Sequence, residues 1–363
     1  MIKILGLFPL DGNGGIASWT KTFLKEFPNN DYIIKGINIR MPLSSKKQPK
    51  WKHVIYGVYT AWRVYRELNQ EISKDQYDIM HTTTSGNLGA FRDLIMARFC
   101  HKHGIKTVLH CRYGCIPEDY ISRGLIGRLL RASFKWYDQI WVLDNRTFNF
   151  LKLQSDLAEK VRLTPNPVEV KEAMDVSPKS YKRIGFIGNV LEEKGVKELT
   201  QAVCELEGTH LDIVGPAKND MLEELKTIAG DKWGNEIKYL GRVPNEQAVR
   251  IMKDMDIIAL PTYYRSEAFP MSIIESMSLT KLVISTRRAA IPDMLTDLYG
   301  GMCGILVEER SSKAIVDSIK WCQENPQAAD RMCRKAYEKV FQSYRREVVY
   351  NIYKTNYNQL LSA

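Results

Sequence analysis

The sequence has no long apolar run. Among its 363 residues no stretch approaches the roughly eighteen uncharged apolar residues that a membrane-crossing helix needs. The most apolar segments, such as Ile257 to Leu260, are strand-sized. Met1 to Leu10 carries one lysine and a short apolar stretch ending at Pro9, with no small-residue cleavage site, so it does not read as a secretory signal. The seven cysteines are odd in number and scattered from Cys100 to Cys333 without a repeating frame. That fits reduced thiols in a cytosolic protein better than a disulfide scaffold. Solenoid repeats and low-complexity tails are also absent. The expectation is a cytoplasmic chain that does not span a membrane.

Two further classes lack their signatures. Cys100, His101, His103, His110, Cys111 and Cys115 form one dense group, but it has no paired second knuckle, so no metal is expected. The formal net charge of +10 favours anionic partners. Phosphate-bearing small molecules, nucleic acid and acidic lipid would all answer to it. No recognition motif, zinc finger or aromatic-interleaved basic strand supports nucleic acid.

What is present is a folded, two-domain composition: 44% hydrophobic residues, 26% charged, and a length suited to two cores. Strand-like runs alternate with helical patterns in the first half, at Ile2 to Leu7, Tyr32 to Ile37, Tyr77 to His81, Lys106 to His110 and Gln139 to Leu143. The alternation breaks at Pro165, Asn166 and Pro167 and at a polar stretch running to Ser180. A second set follows at Arg183 to Gly188, His210 to Val214, Ile237 to Leu240, Ile257 to Leu260, Leu282 to Ser285 and Gly304 to Val307. From Ser311 the pattern is helical to the end. Two α/β, Rossmann-like, doubly wound domains in tandem is the economical reading.

Ligands of such sheets bind outside the carboxyl ends of the strands, and three strand-end loops are unusual. The first holds Asp11-Gly12-Asn13-Gly14-Gly15-Ile16-Ala17, a glycine-rich turn into a helix that suits a phosphate, or is simply a tight turn. The second runs from Gly188 and Asn189 to Lys194 and Gly195, with a lysine at a helix entry that either neutralises phosphate or is solvated. The third runs from Pro261 to Met277 and carries Arg265, Glu267, Ala268, Phe269, Pro270, Met271, Ser272 and Glu275. A helix beginning near Pro270 would aim the N–H groups of Met271 and Ser272 at an anion. Without their surroundings, Glu267 and Glu275 would read as acids complementing a helix start and its solvated face.

The Glu-x7-Glu spacing of Glu267 and Glu275, set in a strand-loop-helix, resembles the signature of family 4 retaining glycosyltransferases. Other matching parts follow in order along nearly the whole chain: the first glycine-rich loop, His110, Asn166-Pro167-Val168, Gly188 to Gly195, Leu211 to Gly215 and Tyr239 to Val243. The resemblance implies the GT-B fold, two Rossmann-like domains facing a central cleft with a C-terminal helix packing back on the N-terminal domain. It divides the chain into an acceptor-binding domain over 1–165, a linker over 166–181, a nucleotide-sugar-binding domain over 182–342 and a returning helix over 343–363.

Carried over by that resemblance, Glu275 would bond the donor ribose and Glu267 the donor sugar hydroxyls. The amides of Gly14, Gly15 and Ala268 to Ser272 would hold sugar and diphosphate, with Gly188 and Asn189 beside them. Val243 would meet the nucleobase through its backbone, and Lys194 would stabilise the leaving diphosphate. His110 would stand at the reacting face, or serve only as a strand-end packing group. The donor implied is a UDP-sugar ahead of a GDP-sugar, with no metal and with retention by a front-face route. Two departures stand out. Asn189 replaces a usual arginine, with Arg265 and Arg287 as candidate substitutes for the lost phosphate contact. Arg287-Arg288-Ala289-Ala290 replaces a glycine-containing loop.

On the acceptor side, residues 121–136 mix Arg123, Arg128, Arg131 and Lys135 with apolar residues at helical spacing. They fit either a helix lying on an acidic membrane surface or one packing on the sheet. The first option goes with a saccharide or polyprenyl-diphosphate-linked acceptor, as in bacterial capsule, O-antigen or exopolysaccharide assembly, at the inner face of the cytoplasmic membrane. Two alternatives remain open: a nucleotide-sugar epimerase of the same fold, and a non-catalytic nucleotide-sugar-binding partner of another transferase.

Overall fold

The computed structural model of the chain describes all residues except 13, 28–30, 42–49, 87–88, 172, 176 and 363. It divides into two compact units, Met1–Asn166 with Tyr350–Ala363, and Pro167–Val349.

The first unit is a parallel sheet of β1 (Ile2–Phe8), β2 (Tyr32–Asn38), β3 (Ile79–Thr84), β4 (Lys106–Cys111), β5 (Gln139–Val142) and β6 (Val161–Leu163), in the order β2-β1-β3-β4-β5-β6. The connections are α1 (Gly15–Glu26), α2 (Lys50–Lys74), α3 (Gly89–Lys102), α4 (Ile116–Ile121), α5 (Leu125–Trp136) and α6 (Asn145–Lys152). β3 is buried along its whole length, as a parallel strand covered on both faces must be. Because side chains alternate across a strand, one face of the sheet carries Leu5, Leu7, Met80, Leu109 and Ile140, which pack on Leu130 and Phe134 of α5 and on neighbouring helices. The opposite face carries His81, His110 and Trp141. α14 (Arg346–Ser362) belongs to this unit from Tyr350 onward and lays Tyr353 and Tyr357 on Trp141, each with ring centroids 4.9 Å away.

The second unit is a parallel sheet of β7 (Arg183–Ile187), β8 (His210–Val214), β9 (Ile237–Gly241), β10 (Ile257–Leu260), β11 (Leu282–Thr286) and β12 (Ile305–Val307), in the order β12-β11-β10-β7-β8-β9. Its helices are α7 (Val196–Cys204), α8 (Asn219–Ala229), α9 (Asn245–Lys253), α10 (Met271–Ser278), α11 (Ile291–Met294), α12 (Ser312–Glu324) and α13 (Pro326–Ser343). α12 starts where the Ser311 hydroxyl accepts the Ala314 N–H at 3.1 Å, and α13 starts at Pro326, where a missing N–H costs nothing. The segment after Pro167 has little regular structure, but Val168 pairs with the 344–346 backbone, donating to Tyr344 O at 2.8 Å and accepting from Arg346 N at 2.9 Å.

This is the two-domain α/β architecture expected. Strand bounds agree within one or two residues for most strands, and the three-residue edge strand β6 was not anticipated. Strand order reverses between β1 and β3 in one sheet and between β7 and β10 in the other. Such reversals open the crevice where an α/β sheet takes its ligand.

Candidate active site at the strand ends of the second unit

The loops after β7 and β10 flank the reversal point, and backbone contacts fix both. The loop after β7 is closed on its β8 side: Gly188 N–H donates to Val214 O at 3.0 Å, and a Cβ on Gly215 would sit 1.8 Å from Gly188 O. Gly195 follows a short 3-10 turn over Glu192–Lys194 and adopts φ +75, and a Cβ there would lie 2.2 Å from Pro261 O. Only glycine allows both that backbone and that approach. The loops are then stitched together by Tyr263 N–H donating to Glu193 O at 2.8 Å.

This stitching brings two charges together. The Lys194 ammonium forms an ion pair with the Glu267 carboxylate, both side chains largely buried, and lies 5.1 Å from the Tyr264 ring centroid. The Thr262 hydroxyl accepts the Tyr264 N–H and can donate to either Glu267 Oε2 or Glu193 O, each at 3.2 Å. Glu267 itself is held by its N–H on Tyr264 O at 3.0 Å.

α10 begins four residues further on, with Pro270 preceding its first residue, Met271. The N–H groups of Met271 and Ser272 fall in its first turn, where no residue four back within the helix can accept them. Glu275, one turn on, is half-buried. Burial raises its pKa above the ordinary carboxylate value, an effect opposed by a weak hydrogen bond from Asn245 Nδ2 at 3.5 Å. Val243, just past β9, is half-buried against a cluster containing Ile187, Val214 and Met252.

The remaining expected residues are spread over the same loops. Ala268 and Phe269 are buried. Ala268 O accepts the Ala290 N–H at 3.1 Å, which ties this loop to the one after β11. Phe269 packs edge-on against Tyr344, with centroids 5.3 Å apart. Asn189, Arg265 and Arg287 are exposed. Arg288 pairs with Glu309, Nε to Oε1 at 2.6 Å. Ala289, in the loop that departs from the family pattern, has φ +41, a region an L residue enters at a cost. Thr262, Tyr264 and Asn245 were not singled out from the sequence. Their signal was position alone, at or just beyond a strand end.

In the first unit, Gly14 and Gly15 are exposed at the start of α1, and a Cβ on either would meet nothing within 4 Å. The protein's own packing does not require glycine at these positions. Asn13 lies outside the described residues. His110 lies near the end of β4. It has no exposed surface and is enclosed by Trp19 at 5.1 Å, His81 at 5.4 Å, Trp141 at 5.5 Å and Tyr353 at 6.0 Å between ring centroids. Its Nε2 lies 3.3 Å from Arg112 Nη1, and burial, then Arg112 and His81, hold its pKa well below the usual imidazole range. β4 is covered here by aromatic side chains from α1 and α14, an enclosure that fits the packing-group alternative for His110. Among the described residues, no group of three or more His, Cys, Asp or Glu side chains is placed to hold a metal ion.

Residues 169–339 match the family model of glycosyl transferases group 1. A Bacillus subtilis glycosyltransferase named for teichuronic acid biosynthesis, TuaC, is 23% identical over 313 residues, which cover 82% of this chain and 75% of that one. Among solved structures, sucrose-phosphate synthase of Thermosynechococcus elongatus has a TM-score of 0.78 at 14% identity, covering 100% of both chains. Anabaena HepE, solved with UDP-glucose, has a TM-score of 0.70 at 16% identity, again covering 100% of both. The fold is GT-B. The second unit carries a glycosyl transferases group 1 domain, and the chain is a glycosyltransferase.

Proposed function

We propose that the enzyme transfers a sugar from a nucleotide-diphosphate sugar to a saccharide or lipid-linked saccharide, with retention of configuration and without a metal. The observation that carries this reading is the Lys194–Glu267 pair beside the first turn of α10, with Glu275 one turn further on. Cleavage of the sugar–phosphate bond builds negative charge on the leaving diphosphate. Lys194 and the first-turn N–H groups of Met271 and Ser272 supply positive potential there before reaction begins. Glu267, positioned by Lys194 and Thr262, takes the sugar hydroxyls, and Glu275 takes the ribose. Val243 meets the base through its backbone, and Gly14 and Gly15 leave room for sugar or phosphate.

Glu267 is already engaged by an ammonium, which favours a hydrogen-bonding role over that of a nucleophile. That is compatible with the front-face route the resemblance implies, in which the leaving phosphate takes the acceptor proton. The HepE complex with UDP-glucose supports a UDP-sugar ahead of a GDP-sugar. The name of TuaC, that of a teichuronic acid biosynthesis glycosyltransferase, supports polysaccharide biosynthesis as the setting. Arg265 or Arg287 would supply the phosphate contact that Asn189 cannot.

Calorimetric titration with UDP and GDP in EDTA tests the site. Micromolar binding of one nucleotide, weakened by Lys194→Ala and by Glu275→Ala, is expected. Absence of binding by either nucleotide would remove the donor site from this loop. Binding without sugar transfer to any saccharide acceptor would point to the non-catalytic partner, and conversion of the donor sugar without acceptor would point to the epimerase.

A further inference from the structure

α2 is apolar on two opposite faces. Ala61, Val64 and Leu68 are buried toward the sheet, the last two within the core. On the other side Trp51, Val54, Ile55, Val58, Tyr59 and Trp62 follow one another at helical spacing and are between 47% and 61% exposed. Side chains of this size leave on the order of 600 Å² of contiguous apolar surface in solvent, the upper end of what a monomer carries without a use for it.

The charges along this stretch of α2 have one sign. No Asp or Glu occurs from Lys50 to Arg66, and the first acid is Glu67, which neutralises Arg63 at 2.8 Å. Arg66 lies over the Trp62 ring at 4.8 Å and Lys52 over the Trp51 ring at 5.6 Å. Tryptophan and tyrosine with cations alongside is the side-chain set that settles at the boundary of lipid headgroups and acyl chains. The helix considered for this role from sequence, α5, instead turns Leu130 and Phe134 into the core, and its Arg131 bonds Ser122 O at 2.9 Å.

We infer that the outward face of α2 is a docking surface for an acidic lipid bilayer. Its apolar side chains enter the headgroup region while Lys52 and Arg66 meet anionic headgroups. A second copy of the chain fits less well. A two-fold contact through the stripe sets each helix's cations against the same cations of its mate, with no acid among residues 50–66 to offset them.

The test is flotation of the full chain with vesicles of phosphatidylcholine, alone and mixed with phosphatidylglycerol. It uses no nucleotide, so its outcome is independent of the donor site. The native chain is expected to float with the mixed vesicles and to be released by salt. Ile55→Glu and Val58→Glu should each lower the bound fraction by at least about tenfold, with Trp62→Ser as a milder third variant and unchanged thermal midpoints as the folding control. Leu125→Glu on α5 should leave binding intact. The inference is overturned if the native chain fails to float, if the α2 variants float as well as the native chain, or if Leu125→Glu abolishes binding instead. Sedimentation velocity that finds a dimer dissociated by Ile55→Glu would also overturn it and assign the stripe to a second copy.

Discussion

Lys194 and Glu267 stand 73 residues apart in the chain and meet as an ion pair, their side chains 14% and 9% exposed. Neither charge is well hydrated, so removing one strands the other. Lys194→Met would leave the Glu267 carboxylate with the Thr262 hydroxyl as its remaining contact in the pair's network, a loss worth about 1.5–3 kcal/mol of stability. Adding Glu267→Gln removes the stranded charge and should recover part of that loss. Urea unfolding of the two single variants and the double variant measures the coupling. Strictly additive effects would show that the pair contributes nothing to the loop.

Glu275 gives a stability effect of opposite sign to its proposed function. Burial raises its pKa in the folded chain. The folded protein therefore holds a proton that the unfolded chain has released at pH values between the ordinary carboxylate pKa and the raised one. Stability contributed by the neutral form is lost as pH rises through that window. Glu275→Gln should thus unfold at a higher temperature than the native chain at neutral pH. The difference should close as pH falls through the raised pKa toward the ordinary value. The same substitution should weaken donor binding, since an amide is a poorer acceptor for ribose hydroxyls. Scanning calorimetry across the acid range, paired with nucleotide titration at neutral pH, checks both halves. A variant less stable than native at neutral pH would contradict the first.

The strands were legible where they are short, buried and apolar, as in Ile257–Leu260, which is buried throughout. β6 was not, because Val161–Leu163 has three residues and a central arginine, too few for a periodicity to register. Strand-end loops could be located from the alternation alone. The meeting of Lys194 with Glu267 could not, since it depends on β7 lying beside β10 in the sheet rather than on spacing. The burial of His110 was hidden for a similar reason: the rings that cover it include Trp19 of α1 and Tyr353 of α14. The exposed stripe of α2 escaped because a helix apolar on both faces yields no single-sided pattern. The positive φ of Ala289 had no sequence signal at all.

The buried histidines make the first unit sensitive to acid. His81 Nδ1 shares a 2.5 Å hydrogen bond with the Tyr357 hydroxyl, and burial, with Arg112 nearby, pushes the His81 pKa down to about 3 from an ordinary 6.5. His110, stacked on it at 5.4 Å between centroids, is held neutral by the same burial and the same cation. Below the ordinary imidazole value the unfolded chain takes up protons that the folded chain refuses, so stability falls as pH drops. Each histidine contributes a loss of roughly 1.4 kcal/mol between about pH 7.5 and about pH 5.5. Urea unfolding at the two pH values should therefore show the native chain losing markedly more stability than His110→Gln, which keeps one buried imidazole instead of two. Equal losses in both chains would mean that His110 is protonated in the folded state, and with it the neutral aromatic core built around His81, His110 and Trp141 would have to be abandoned.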